Sequence, residues 1–474
     1  MSATSPSILL ITCDELNRDT LSLYGNRAIS TPHMDALAEG GVRFERAHTV
    51  SPWCLPARCA LLTGRYPHNS GAYSNFRKCP LDNGLPNLFT QLKEATYHVS
   101  MFGKCHFAPV PYGETRPDRT LPYDSFKDYY LSLGLDHLDL EDDKQVSVWF
   151  MDDWAKEAAA DGTLEAARAA VWNQELAKVY PFPGREEMHP DIWVADKAVD
   201  YIRSAPPESP LFAWVSFSGP HYPMDPPQRY IDGVNADLLT PMVRREGELD
   251  SADRIQHRSY FGGGNMDGCH TAPGGGCKNY DEDYWQRLRI CYNANVKLID
   301  DMVGKVVAAA RERYGENLLI IFTADHGEML GNHGVWGKHN CAYREVWSLP
   351  LLVDFPDGRG AGTVSDALVN TCDILPTCLE AAGKTAIAPT DGVSLYNPSH
   401  RAYTFSEGEG FVAVYDGRFK YVHVQKKGEH FRELLDTLED PCEFENRIAD
   451  PRYAADLARL REAVIEHFLG KVLP

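Results

Sequence analysis

The 474 residues are 43% apolar and 24% charged, too apolar for a disordered chain and too charged for an integral membrane protein. That length allows two or three domains and a large core around a deep pocket. With 47 Lys plus Arg against 67 Asp plus Glu the net charge is −20, which argues against a nucleic-acid partner but not against a small anion met by a local group of cations.

The first residues, MSATSPSILLITCDE, lack a basic n-region, and their apolar run stops at Cys13-Asp14. No signal peptide is expected there, and no apolar run in the chain is long enough to span a bilayer, so no membrane association is expected. The 12 cysteines are scattered singly without a CxxC pair, which speaks against a zinc ribbon and for buried thiols in a reducing cytoplasm.

Residues 7–12 form a short apolar run, and 32–39 have helical spacing. An amphipathic stretch at 85–95 precedes a strand-like 97–102; helical spacing at 192–203 precedes a buried strand at 211–217. A long helical stretch, 284–313, runs into the most apolar strand, 317–323, followed by a strand at 349–355 and a helix near 373–382. Apolar strands alternating with helices imply an α/β fold with a large, mostly parallel sheet covered on both faces. Residues 110–189 and 222–281 have weak periodicity and read as long loop excursions supplying pocket walls and lids.

Beyond residue 383 the texture changes. Short strands are expected at 403–406, 411–415, 419–424 and 431–435, with Asp416-Gly417 as a hairpin turn and a closing helix over 453–469. The expected organisation is therefore a main α/β domain, 1–383, and a smaller C-terminal antiparallel subdomain, 384–474.

Two acidic pairs follow apolar strands: Asp14-Glu15 after the first, and Asp325-His326 after 317–323. Ligands in open α/β sheets bind beyond the carboxyl ends of strands, so these side chains can converge on a divalent cation with mainly oxygen ligation. For Asp14 alone, capping of the next helix is an equally good account. The sharpest signal is the run from Ser51 to Arg65, SPWCLPARCALLTGR. Pro56 suits a first helical turn and Gly64 a C-cap, which puts Cys54 at a helix N-terminus where an anion is favoured, with Arg58 one turn on. An ordinary buried thiol before a helix is the plain alternative.

C-x-P-A-R followed by L-L-T-G-R and Tyr66-Pro67-His68 resembles the signature of the type I sulfatases of the alkaline phosphatase superfamily. The resemblance extends over nearly the whole chain, through Thr31 to Asp35, Gly103-Lys104-Cys105-His106, Gly219-Pro220-His221, Thr323 to Glu328, Trp336 to His339 and the tail from Glu433 to Pro441. It implies an alkaline phosphatase-like fold and conversion of Cys54 to formylglycine by the formylglycine-generating enzyme. The implied reaction is hydrolysis of a small-molecule sulfate ester. A divalent cation is implied at Asp14, Glu15, Cys54, Asp325 and His326, Ca²⁺ by family habit, with Mn²⁺ admitted by the imidazole. Arg58 and Lys104 would neutralise the sulfuryl oxygens, His106 would act as base, and His221 and Lys338 would serve the leaving oxygen.

Two departures stand out. Many members have paired Asp after the first strand and Asp-Asn later, whereas this chain has Asp14-Glu15 and Asp325-His326. The His variant, with Asn75 as a substrate-binding residue, resembles the branch holding choline-sulfatase-like enzymes and phosphonate monoester hydrolases. Lys104 and His106 instead match the sulfatase pair, so a sulfate ester is expected ahead of a phosphonate or phosphodiester. A non-catalytic relative whose Cys54 stays a thiol is the third reading. Each residue also has a plain account: Lys104 as surface charge, His221 as a loop residue, Lys338 or His339 packed on Trp336. His333 is expected to be structural, and Cys269, His270 and Cys277 to belong to a lid loop rather than a zinc site.

Overall fold

The computed structural model describes residues 5–75, 80–108, 124–173, 178–250, 254, 256–257, 260, 277–338, 341–398, 401–426 and 428–470. The main sheet has eight strands: β1 (Ser7–Asp14), β2 (Val42–His48), β3 (His98–Gly103), β4 (His137–Asp139), β5 (Leu211–Pro220), β6 (Leu318–Ala324), β7 (Leu351–Asp354) and β8 (Thr363–Asn370). Their order across the sheet is β4-β3-β5-β1-β6-β7-β2-β8. The central strands β1, β5 and β6 are buried along their whole length, because helices cover both faces and leave no side for polar alternation. Helices Pro32–Gly40, Pro190–Ser204 and Glu282–Tyr314 pack together as one covering group; Cys54–Thr63, Leu88–Glu94 and Ile374–Ala381 form another.

β5 and β6 flank β1 in parallel register, Cys13 lying opposite both Phe217 and Ala324. Their carboxyl ends therefore share one edge, with β3 beside β5 in the same direction. The strand expected at 349–355 is present as β7 but runs antiparallel to both β6 and β2. β2 and β8 were not expected from the sequence: their partial exposure breaks the apolar run that betrays a central strand. The stretch expected as a loop excursion carries four helices, Asp124–Ser132, Ser147–Phe150, Asp153–Asp161 and Leu164–Trp172. These are short, and two are alanine-rich, so no long apolar stripe marks them.

The C-terminal sheet is an antiparallel meander of β9 (Thr404–Gly408), β10 (Phe411–Tyr415), β11 (Phe419–Lys426) and β12 (Glu429–Asp436), in the order β12-β11-β10-β9. Asp416-Gly417 makes the expected hairpin: Gly417 takes φ 98°, and the Asp416 carboxylate accepts the backbone N–H groups of Arg418 and Phe419. Phe411, Ala413, Val422, Val424 and Phe431 pack with Trp347 on one face. Val414, Tyr421 and Leu434 pack with Leu460 and Ala463 of the C-terminal helix, Ala454–Leu469, on the other. No helix among the described residues is long and apolar enough to cross a membrane.

Candidate active site

The signature segment folds as its spacing predicts. The helix Cys54–Thr63 starts at Cys54, has Pro56 in its first turn and ends at Gly64, whose left-handed φ of 65° lets its N–H reach the Ala60 carbonyl at 2.8 Å. All ten helical residues are buried. At its head the Leu55 N–H donates to Asn75 Oδ1 at 3.0 Å, so Asn75 sits beside Cys54. Arg58, one turn on, donates from Nε to Asp325 Oδ2 at 2.9 Å and from Nη1 to the Lys104 carbonyl (2.9 Å) and Ser216 Oγ (2.7 Å).

Four strand ends feed the same spot. β1 delivers Asp14 and then Glu15, whose φ of 64° reverses the chain. β3 delivers Lys104 through Gly103, at φ 88°, where a Cβ would stand 2.1 Å from the Ser216 carbonyl oxygen; only glycine lets the two strands pass this closely. β5 delivers His221, and β6 delivers Asp325-His326. Asp14, Cys54, Asp325 and His326 are all buried, with one ligand-capable atom from each within 4.8 Å of the others. His326 Nε2 lies 3.2 Å from Cys54 Sγ, 3.5 Å from Asp14 Oδ1 and 3.6 Å from Asp325 Oδ1.

These donors suit a divalent cation. His326 Nδ1 donates to the Gly327 carbonyl at 3.1 Å, which leaves the Nε2 lone pair directed into the cluster. Asp14 Oδ1 is buried without a hydrogen-bond partner. Burial and the neighbouring Asp14 charge push the Asp325 carboxyl up to about 7, as expected where carboxylates crowd without enough positive charge.

Lys104 ion-pairs with Asp14 and reaches Asp143 Oδ2 at 2.7 Å. Burial opposes its charge, but the two carboxylates outweigh that and hold the ammonium well above its ordinary range. Burial opposes the Asp14 charge too, and Lys104, His221, Lys338 and Arg58 together hold it well below the usual carboxylate range. Cys54 is pushed up to about 12, first by burial and next by Asp14. An unmodified thiol here is protonated and a poor nucleophile.

Lys338 Nζ donates to Glu15 Oε2 at 2.9 Å, and the same oxygen lies 3.2 Å from His221 Nε2. Glu15 turns left-handed and carries its carboxylate to Lys338 and His221, beside the cluster of Asp14, Cys54, Asp325 and His326. His106 also follows a left-handed turn, φ 49°, and its N–H donates to Asp142 Oδ1 at 2.8 Å. Its ring is pushed well down by burial, then by Lys104 and Arg58, as are those of His221 and His326 by burial and Lys338. All the expected site residues from the four strand ends and the signature helix therefore converge in one buried region.

Sequence reading missed Asp142, Asp143 and Ser216. Asp142 accepts the N–H groups of Cys105 and His106 and the Tyr130 hydroxyl, fixing the turn after β3. The only written signal was the pair of adjacent acids in a stretch without periodicity. Lys338 lies 5.9 Å from the Tyr222 ring, and His333 is stacked on Tyr343 with Nδ1 2.5 Å from Glu248 Oε1, the structural role expected. His339, Cys269 and His270 lie outside the described residues.

The family model described as Sulfatase matches residues 6–384, and one described as N-sulphoglucosamine sulphohydrolase, C-terminal, matches residues 331–468. An arylsulfatase of Clostridium perfringens is 27% identical over 490 residues, covering 98% of this chain and 95% of the relative. A choline-sulfatase of Rhizobium meliloti is 26% identical, covering 97% of this chain and 86% of the relative. The crystal structure of the phosphonate monoester hydrolase of Agrobacterium radiobacter has the same fold, with a TM-score of 0.81 at 24% identity over 98% of this chain and 96% of that one. With the family model matched along most of its length, and its signature cysteine seated among two carboxylates and an imidazole, the chain belongs to the sulfatase family, the sulfuric ester hydrolases.

Proposed function

We propose that this chain hydrolyses a sulfate monoester of a small alcohol to the alcohol and inorganic sulfate, with Cys54 converted to formylglycine as the nucleophilic residue. The observation that carries this reading is the position of Cys54 at the head of a buried helix, 3.2 Å from His326 Nε2 and beside Asp14 and Asp325. Asp14, Asp325, His326 and position 54 would hold the cation, Ca²⁺ or else Mn²⁺. Such an ion supplies Lewis-acid stabilisation to the attacking and sulfuryl oxygens.

The buried cations Arg58, Lys104 and Lys338 sit among carboxylates at the strand ends, and a divalent ion would add the positive charge that an anionic ester needs. Arg58 holds Asp325 in place, and its Nη2 has no hydrogen-bond partner of its own, which leaves a donor for a substrate oxygen. Asn75, at the head of the signature helix, would orient the same anion.

Hydrated formylglycine at position 54 would supply two hydroxyls, one oxygen to displace the alcohol at sulfur and a second whose loss of a proton would release sulfate. His221, with Nδ1 held to the Tyr222 carbonyl at 2.7 Å and Nε2 directed toward Glu15 and Lys338, is the proposed hydrogen-bond partner of the leaving oxygen. Lys338, sharing Glu15 with it, steadies the same oxygen. His106, held neutral by burial and by Lys104, is the proposed base for the second step.

A phosphonate monoester or phosphodiester reading on the same scaffold is favoured by one feature, that these anions also carry a single charge. A panel of sulfate, phosphonate and phosphate esters separates the readings: sulfate turnover fastest is expected, and phosphonate turnover fastest would overturn the proposal. Intact mass should be about 18 Da below that of the free thiol chain. Chelation should abolish turnover, and Ca²⁺ or Mn²⁺ should restore it; full activity in a metal-free sample would remove the cation from the proposal. We further propose a cytoplasmic setting, resting on cysteines scattered singly along the sequence, maturation by the formylglycine-generating enzyme, and organisation as a catalytic part, 1–383, and a C-terminal part, 384–474.

A further inference from the structure

Away from the catalytic cluster, a second set of metal-ligating side chains joins three separate elements. His68 lies in the short helix Pro67–Ser70 just behind the signature helix, Glu407 on β9, and His467 in the last turn of the C-terminal helix. One ligand-capable atom from each falls within 4.8 Å of the other two. His68 places its backbone nitrogen 2.9 Å and its Nδ1 2.7 Å from Glu407 Oε1, while His467 Nε2 lies 3.4 Å from Oε2.

Three facts single this group out from an ordinary ion pair. The Glu407 carboxylate is buried; its Oε2 and His467 Nε2 face each other at 3.4 Å without a well-formed hydrogen bond, and His68 Nε2 is buried with no hydrogen-bond partner. Such atoms are costly to bury unless something fills their lone pairs. The rings are also fixed in advance: Phe405 stacks on His467 with centroids 4.0 Å apart, Tyr66 meets it edge-on at 4.5 Å, and Phe468 lies against His68 at 5.1 Å. Finally, two imidazoles with one carboxylate is a nitrogen-rich set, unlike the carboxylate-rich cluster around Asp14.

We infer that His68, Glu407 and His467 form a second metal site, for a zinc-class divalent ion, that clips the C-terminal helix to the segment behind the signature helix. Two imidazole nitrogens and a carboxylate oxygen are ligands Zn²⁺ takes readily, with water in a fourth position.

The test uses the full chain, stripped with a chelator, dialysed into excess Ca²⁺ and titrated with Zn²⁺ by calorimetry. One equivalent of Zn²⁺ should bind at neutral pH and raise the thermal midpoint. His467→Ala and Glu407→Gln should lose that equivalent or weaken it at least tenfold, while Asp325→Asn, which cripples the first cluster, keeps it. Absence of the equivalent in the unaltered chain, its persistence in His467→Ala, or its loss in Asp325→Asn each overturns the inference. Should the His467 variant unfold, Co²⁺ added to the unaltered Ca²⁺-loaded chain must give visible d–d bands that Zn²⁺ erases. A colourless sample also overturns it.

Discussion

Charges are buried in two regions of this molecule in different ways. Around the C-terminal sheet they sit at the margins: Lys420 with Glu443, Arg254 between Glu248 and Glu433 at 3.3 Å, and the half-exposed Arg418 with Asp436 at 2.6 Å. The faces of that sheet are apolar and closed. At the carboxyl ends of β1, β3, β5 and β6 the charges instead share partners in one continuous group, Lys104 between Asp14 and Asp143, and Glu15 between Lys338 and His221. Atoms such as Asp14 Oδ1 and Arg58 Nη2 are left without hydrogen bonds there. Spare lone pairs and donors among the shared charges at these strand ends mark a place for a ligand.

Substitutions should separate the two regions cleanly. The largest effect is expected at Cys54→Ala, where turnover should drop by about 10⁶-fold or to background with the thermal midpoint kept. Cys54→Ser should complete at most one turnover and hold a sulfated serine visible by mass; sustained turnover by either variant would rule out the hydrate chemistry. Next, Lys338→Ala should lower kcat by about 10²–10³-fold with little change in unfolding. Steady-state kinetics beside a melting curve reads both.

In the C-terminal sheet the balance should reverse. Leu434→Ala should cost about 2–4 kcal/mol in urea unfolding and leave kcat per folded molecule unchanged. A fall in kcat equal to that at Lys338 would mean the two regions are not separable.

The smallest effect concerns their junction. His48, at the end of β2, bonds Thr404 of β9 at 3.2 Å and packs against Trp347 and Tyr415. Burial, then Lys420, lowers its pKa from 6.5 to about 3. The unfolded chain therefore takes up a proton below about 6.5 that the folded chain refuses until about 3, so stability is lost as pH falls through that window. The slope should be about 1 kcal/mol per pH unit, and His48→Gln should flatten it in urea titrations between pH 7 and 5.

The same contrast explains what was legible in the sequence. β1 and β6 read clearly because complete burial writes an unbroken apolar run, and the site shows where that run meets Asp14 or Asp325. The C-terminal strands read clearly because Asp416-Gly417 fixes a turn between patterned segments. β4, three residues long at the sheet edge, is too short to carry a pattern, and so Asp142 and Asp143 behind it were invisible as site residues. The partners of Glu15 were hidden for another reason: a left-handed backbone turn decides where its carboxylate goes, and no spacing rule records that.

The signature helix is enclosed along all ten of its residues, beneath the helix Ile374–Ala381 and against the strand ends. On the proposed function, an enzyme that converts Cys54 would have to reach it before the fold closes, while the segment is still extended and β6 has not paired beside β1. A chain that folded first would keep its thiol, and the order of events during synthesis would then set the fraction able to act.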